Sequence, residues 1–195
     1  THDQARALHS GMQLLLDGAR GLLTTDLEAS VAPDIASPSA SQSTTLDGMR
    51  VKLRVSARSQ HDVQAAVTAG ASAIGLLRSE FLAPADGQRP DMAFYRAAFE
   101  RLAAAAAGLP LTIRLFDIAA SKRPAWLDLP PSATGVLGSQ GVRLYAHEAV
   151  RCIYQAQLQA INALAADYEL RILLPFVADL AELRYWHDDI RRQLD

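Results

Sequence analysis

The chain has 195 residues, half of them hydrophobic and 21% charged, enough to bury one sizeable core. Its formal net charge of -2, with Lys and Arg scattered among acids, provides no basic stripe for a phosphodiester backbone, so nucleic acid is excluded as a partner. No apolar run reaches the ~18 residues of a membrane span, and no basic segment leads an apolar stretch at the start, so the expectation is a cytoplasmic protein without a membrane contact.

The polar opening Thr1-His2-Asp3-Gln4, without an initiator methionine, suggests a piece of a longer chain. Residues 12–16 and 21–25 are short apolar runs around Asp17-Gly18-Ala19-Arg20, whose Asp-Gly pair favours a tight reversal. They read as one β-hairpin. Between Ala29 and Thr45, serines at 30, 37, 39, 41 and 43 alternate with Pro33 and Pro38 and leave little apolar surface to bury, which is the composition of a linker.

A regular alternation follows. The first unit pairs a strand at Val51–Val55 with a helix from His61 to Ala69, closed by Gly70. The second pairs a buried strand at Ala73–Leu77 with a helix carrying Tyr95, Ala98, Phe99 and Leu102 on one side and ended by Gly108 and Pro110. The third has a strand at Leu111–Phe116, a long loop, and a helix marked by Val150, Ile153, Tyr154, Gln157, Leu158, Ile161 and Leu164. Cys152, inside that helix and without a cysteine partner, reads as a small packing residue. In the fourth, Arg171–Leu174 is a strand stopped by Pro175. Asp179 caps the last helix there, with Glu182 as capping-box partner and Leu180, Leu183, Trp186 and Ile190 facing inward. Four strand-helix units with apolar strands predict an α/β fold, a parallel sheet covered by helices. A complete eight-unit barrel takes about 250 residues, so residues 46–195 supply half of a TIM-type barrel.

In such a fold chemistry gathers where strands end at their carboxyl side. Arg78 follows Ile74-Gly75-Leu76-Leu77, and Arg114 precedes Leu115-Phe116-Asp117. A guanidinium keeps its charge at every relevant pH and offers a planar fork of donors suited to phosphate or carboxylate. Two of them at one barrel mouth make an anion site; the alternative is that each pairs with a nearby acid, Glu80 or Asp117. Gly138-Ser139-Gln140-Gly141 superficially resembles a nucleophile elbow, but Leu137 stands where that motif needs glycine and no apolar strand leads into it.

The segment Gly70-Ala71-Ser72-Ala73-Ile74-Gly75-Leu76-Leu77-Arg78-Ser79-Glu80-Phe81-Leu82 resembles the signature G-A-x-G-I-G-L-x-R-T-E-F-L of enzyme I of the bacterial sugar phosphotransferase system and related phosphoenolpyruvate-utilising enzymes. Arg114-Leu115-Phe116-Asp117-Ile118 matches their R-T-x-D-I, with Lys122 at the position of the lysine that follows. Thr45-Leu46-Asp47-Gly48 resembles the entry to their barrel, and Arg171–Phe176 its fourth strand. The resemblance implies that Arg78, Arg114 and Lys122 belong to a phosphate site that is vestigial here. Where the family has G-G-D before that lysine, this chain has Ala119-Ala120-Ser121, and Gln140 stands in place of a further phosphate-binding arginine.

The resemblance also implies a domain layout. Residues 1–28 would be the hairpin end of a swivelling phosphohistidine domain, 29–45 the linker, and 46–195 a truncated barrel. The family's magnesium ligands and its cysteine proton donor come from the second half of the barrel, so this chain is expected to hold no cofactor and to be inactive alone. None of its five histidines lies in the T-S-H-x-A-I setting of a phosphoacceptor.

A barrel ending half-way is similar to the C-terminal enzyme I-like region in phosphotransferase subunits of dihydroxyacetone kinases that depend on the phosphotransferase system. That likeness implies phosphocarrier proteins and dihydroxyacetone kinase subunits as partners, with phosphoryl groups relayed through histidines toward a bound ADP. One alternative is a fragment of a complete enzyme I. Another is a non-catalytic docking or dimerisation module, because an open parallel sheet leaves edges that a second copy could cover as a homodimer.

Overall fold

The computed structural model describes residues 8–17, 21–28, 44–84, 86–119, 122–130 and 139–194. The chain divides into two compact units, residues 1–39 and 40–195. In the first, β1 (Leu15–Asp17) pairs antiparallel with β2 (Leu22–Thr24), Leu16 opposite Leu23. This is the expected hairpin; its reversal at residues 18–20, and residues 29–43 of the Ser/Pro-rich stretch, lie outside the described residues.

The second unit runs β3 (Arg54–Ala57), α1 (Gln60–Thr68), β4 (Ala73–Arg78), α2 (Met92–Ala105), β5 (Leu111–Arg114), α3 (Glu148–Leu164), β6 (Leu170–Leu173) and α4 (Leu180–Leu194). Short 3₁₀ turns occupy Ser79–Phe81 and Gly141–Ala146. All neighbouring strands are parallel and their order follows the sequence, β3-β4-β5-β6. Right-handed crossovers between strands taken in order, with no reversal of direction across the sheet, place every connecting helix on one face. The result is an α/β fold with a four-stranded parallel sheet, consistent with a partial barrel domain. No helix among the described residues is long and apolar enough to cross a membrane.

Local chemistry explains the helix starts. Ser59, Asp91 and Asp179 accept hydrogen bonds from the backbone N–H groups of Asp62 (3.2 Å), Phe94 (2.8 Å) and Glu182 (2.7 Å), satisfying donors that the first helical turn leaves unpaired. Glu182 turns back as a capping-box acid does, but onto the N–H of Ala178 at 2.7 Å. The core fills the space between sheet and helices. Ile74, Leu77 and Ile113 come from strands, Phe99 from α2, and Ile153 and Leu158 from α3. Tyr145 stacks on Tyr154 at 4.7 Å between centroids, and Trp186 meets both edge-on, fastening α4 to α3.

Several expectations need correction. The first strand lies at Arg54–Ala57 rather than 51–55, because its partner begins at Ala73, opposite Arg54; Val51 and Leu53 precede the ladder and are exposed. Nor is this strand apolar throughout. Arg54 and Ser56 are exposed between Val55 and Ala57, since helices cover one face only. Leu180 and Leu183 face solvent, at 58% and 41% exposure, and α4 buries only Trp186 and Ile190. Leu183 lines an open groove with Ile172, Leu173 and Leu174 at β6, the last strand of the sheet among the described residues. Cys152 is half-buried, its Sγ 3.6 Å from Glu148 Oε1.

Gly141 serves a backbone purpose, not that of a nucleophile elbow. Its φ is +57°, and a Cβ there would overlap the carbonyl oxygen of Pro175 and Cβ of Phe176, where Val142 N–H donates to Pro175 O at 3.1 Å. The substitution Gly141→Ala is expected to cost about 2–4 kcal/mol of unfolding free energy, through left-handed strain and overlap with buried backbone. A urea midpoint unchanged from the parent protein would refute that.

Candidate functional site: a cationic cleft at the carboxyl ends of two strands

Arg78 ends β4 and Arg114 ends β5, and the parallel register makes them direct neighbours across the ladder. The two strand ends open into a cleft of about 440 Å³ lined by both arginines and by Lys122, with Glu80, Asp117 and the apolar surfaces of Phe81 and Ile118. All three cationic residues expected at an anion site therefore share one cavity.

Their situations differ. Arg114 is largely buried and its fork is occupied: one terminal nitrogen meets Glu80 Oε1 and the other lies 3.4 Å from Asp117 Oδ2. Its Nε, like Glu80 Oε2, is buried without a hydrogen-bond partner among the described residues. Arg78 is exposed, lines the cleft and forms no ion pair among the described residues. Lys122 is also exposed, on a short turn in which its N–H donates to Ala119 O at 2.9 Å. The cleft thus combines one cation held rigidly by two acids with two available to a ligand.

Ala119, the first position of the expected Ala119-Ala120-Ser121 replacement, lines the cleft; Ala120, Ser121 and residues 131–138 lie outside the described residues. Gln140 is half-buried just before the second 3₁₀ turn, and Arg143 in that turn is engaged by Glu182 at 2.9 and 3.0 Å. His9, His61 and His187 are exposed and His147 sits half-buried at the start of α3. His2 is outside the described residues.

The residues present do not fit magnesium. The two carboxylates of the cleft both face Arg114, and no group of three His, Cys, Asp or Glu side chains among the described residues could hold a metal ion.

A buried layer behind the cleft was not legible as functional. Gln157 of α3, fully buried, donates from Nε2 to Ser79 Oγ at 2.9 Å and accepts from Phe116 N–H at 2.7 Å. Tyr145 donates to Phe116 O at 3.0 Å. Burial raises the Tyr145 phenol far above its ordinary pKa, so it remains a donor at every relevant pH. The one available signal was a polar residue within the apolar stripe of α3.

Residues 34–194 match the family described as the PEP-utilising enzyme, PEP-binding domain. The chain belongs to that family. Among its relatives it is 31% identical over 196 residues to the multiphosphoryl transfer protein of Rhodobacter capsulatus, an alignment that takes in 90% of this chain and 23% of the relative. It is 30% identical over 140 residues to the phosphoenolpyruvate-protein phosphotransferase of Streptococcus equinus, covering 72% of this chain and 24% of that protein. With the same enzyme of Staphylococcus carnosus it shares 31% over 143 residues, 73% of this chain and 25% of the relative. The chain therefore spans about a quarter of the length of these curated relatives. This PEP-binding domain is homologous to enzyme I-type phosphotransferases and to multiphosphoryl transfer proteins.

The two arginines should separate stability from binding. Arg114→Ala leaves Glu80 and Asp117 close together without their cation and is expected to cost about 1–3 kcal/mol, whereas exposed Arg78→Ala should stay within ~0.5 kcal/mol of the parent. Urea denaturation of both variants measures the difference; equal costs would contradict the pairing described here.

Proposed function

We propose that this chain contributes the phosphate-binding edge of a phosphoenolpyruvate site in a multidomain phosphotransferase, with Arg78 and Lys122 contacting the phosphate and Arg114 fixed as a third cation of the same site. The observation that carries this reading is the register pairing of Arg78 with Arg114 at the carboxyl ends of adjacent parallel strands, in one cleft with Lys122. Arg78 and Lys122 bring unpaired charge to the anion, and Arg114, held by its two acids, adds a fixed positive charge beside them. Such a cleft can bind and orient an anion. The transfer step itself draws on groups that these residues do not provide.

Within this reading residues 46–195 form the first four units of a TIM-type barrel, residues 29–45 a linker, and residues 1–28 the hairpin end of a swivelling phosphohistidine domain. The parent protein acts in the cytoplasm and exchanges phosphoryl groups with phosphocarrier proteins. A finer form of the proposal makes the parent a dihydroxyacetone kinase phosphotransferase subunit, relaying phosphoryl groups through histidines to an ADP-bearing partner. It is favoured by Ala119-Ala120-Ser121 and Gln140, which replace a close-approach glycine pair and a phosphate-binding arginine. The rival form, part of a complete enzyme I, is favoured by the likeness to the phosphoenolpyruvate-protein phosphotransferases.

Calorimetric titration with phosphoenolpyruvate tests the site. Saturable binding is expected, weakened about 10–100-fold in Arg78→Ala by loss of a charge-assisted contact. Absence of binding at millimolar ligand, or equal affinity in the variant, would overturn the assignment.

A further inference from the structure

We infer that Gln157 is the positioning residue of the anion cleft, holding the two arginine-bearing strand ends in register where the β-ladder can no longer do so. The inference rests on the phosphate-site reading above. The ladder between β4 and β5 ends at Arg78–Arg114. Along β5 the N–H groups of Leu111 and Leu115 donate to β6, to Glu169 O and Leu173 O, so those at even positions point toward β4. At Phe116 no β4 residue remains to accept, because the chain has turned into the 3₁₀ segment Ser79–Phe81.

Gln157 Oε1 takes the place of the missing strand carbonyl at 2.7 Å, and its Nε2 reaches Ser79 Oγ at 2.9 Å. Ser79 lies between Arg78 and Glu80, and Phe116 between Arg114 and Asp117. One side chain thus ties together the segments that carry both arginines and both acids. All of it is buried: Ser79 and Gln157 are 0% exposed and Phe116 3%. Loss of Gln157 would strand a donor and a hydroxyl without water to replace it, so the loops would have to shift. Tyr145 donates to Phe116 O at 3.0 Å and so holds the next peptide group along.

Glutamine is the shortest neutral side chain that supplies both a donor and an acceptor at this reach; Gln157→Asn keeps the chemistry and removes one methylene. The test measures phosphoenolpyruvate affinity by calorimetry and Phe116 amide exchange by NMR in the parent chain, Gln157→Asn, Ser79→Ala and Tyr154→Phe. The last loses a 2.7 Å hydrogen bond to Asp189 away from the cleft and serves as a control for destabilisation alone. We expect about 3–10-fold weaker binding in Gln157→Asn, a smaller loss in Ser79→Ala, faster Phe116 exchange in Gln157→Asn, and unchanged affinity in Tyr154→Phe. Unchanged affinity in Gln157→Asn despite an unprotected Phe116 amide would overturn the positioning role and leave the phosphate site standing. A parent chain that does not bind while Phe116 stays protected would overturn both. If Gln157→Asn fails to fold, Ser79→Ala decides: affinity equal to the parent's counts against the inference.

Discussion

Two guanidinium groups placed side by side at the end of a parallel ladder set the constraint to which the neighbouring structure responds. Backbones in a ladder lie about 4.8 Å apart, and two like charges held as close as that would repel by ~1–3 kcal/mol at effective dielectric constants of 80 to 20. Here the repulsion is offset by Glu80 and Asp117, both on Arg114, the more buried of the pair. Each acid follows its arginine within the same local segment, two residues after Arg78 and three after Arg114. The strand ends therefore carry their own counter-ions. Arg78, left toward solvent, keeps its charge for something else.

Position at the cleft depends on the layer behind it. Beyond Arg78 and Arg114 the two chains part, one into a 3₁₀ turn and the other into an irregular loop, and backbone hydrogen bonds no longer link them. A buried amide and a buried phenol from the third strand-helix unit take over that task. The same Tyr145 stacks on Tyr154 and meets Trp186, so the aromatic cluster that fastens the last two helices also backs the loop carrying Asp117. Packing and site geometry thus share Tyr145, whose ring stacks in the cluster while its hydroxyl holds the loop.

Membership of the PEP-binding family gives this arrangement a chemical context without supplying its mechanism. The cleft presents three cations against two acids, an excess of one charge, which suits an anion held by hydrogen bonds rather than by a metal. Arg114 with both terminal nitrogens engaged is a preorganised group that needs little reordering when a ligand arrives, whereas exposed Arg78 and Lys122 lose side-chain freedom on binding. The affinity of the cleft is therefore set by how much of that loss the backing layer has already removed from the strand ends.

Most of the secondary structure was legible because its causes are local. Caps at Ser59, Asp91 and Asp179, the apolar periodicity of residues 150–164 and the short buried run at 73–77 act within a few residues, and the elements form where they point. The candidate arginines were legible for the same reason: each stands at the end of an apolar run. What only the tertiary structure decided depends on partners distant in sequence. The first strand begins at Arg54 because β4 begins at Ala73, and Leu180 and Leu183 are exposed because no element among the described residues covers them. Arg114 takes both acids while Arg78 takes neither, since the ladder sets which groups meet. Gln157, read from periodicity as one more position on a helix face, became the link between segments 78 and 41 residues away, because hydrogen bonds of that range follow from how a fold closes and leave no local pattern.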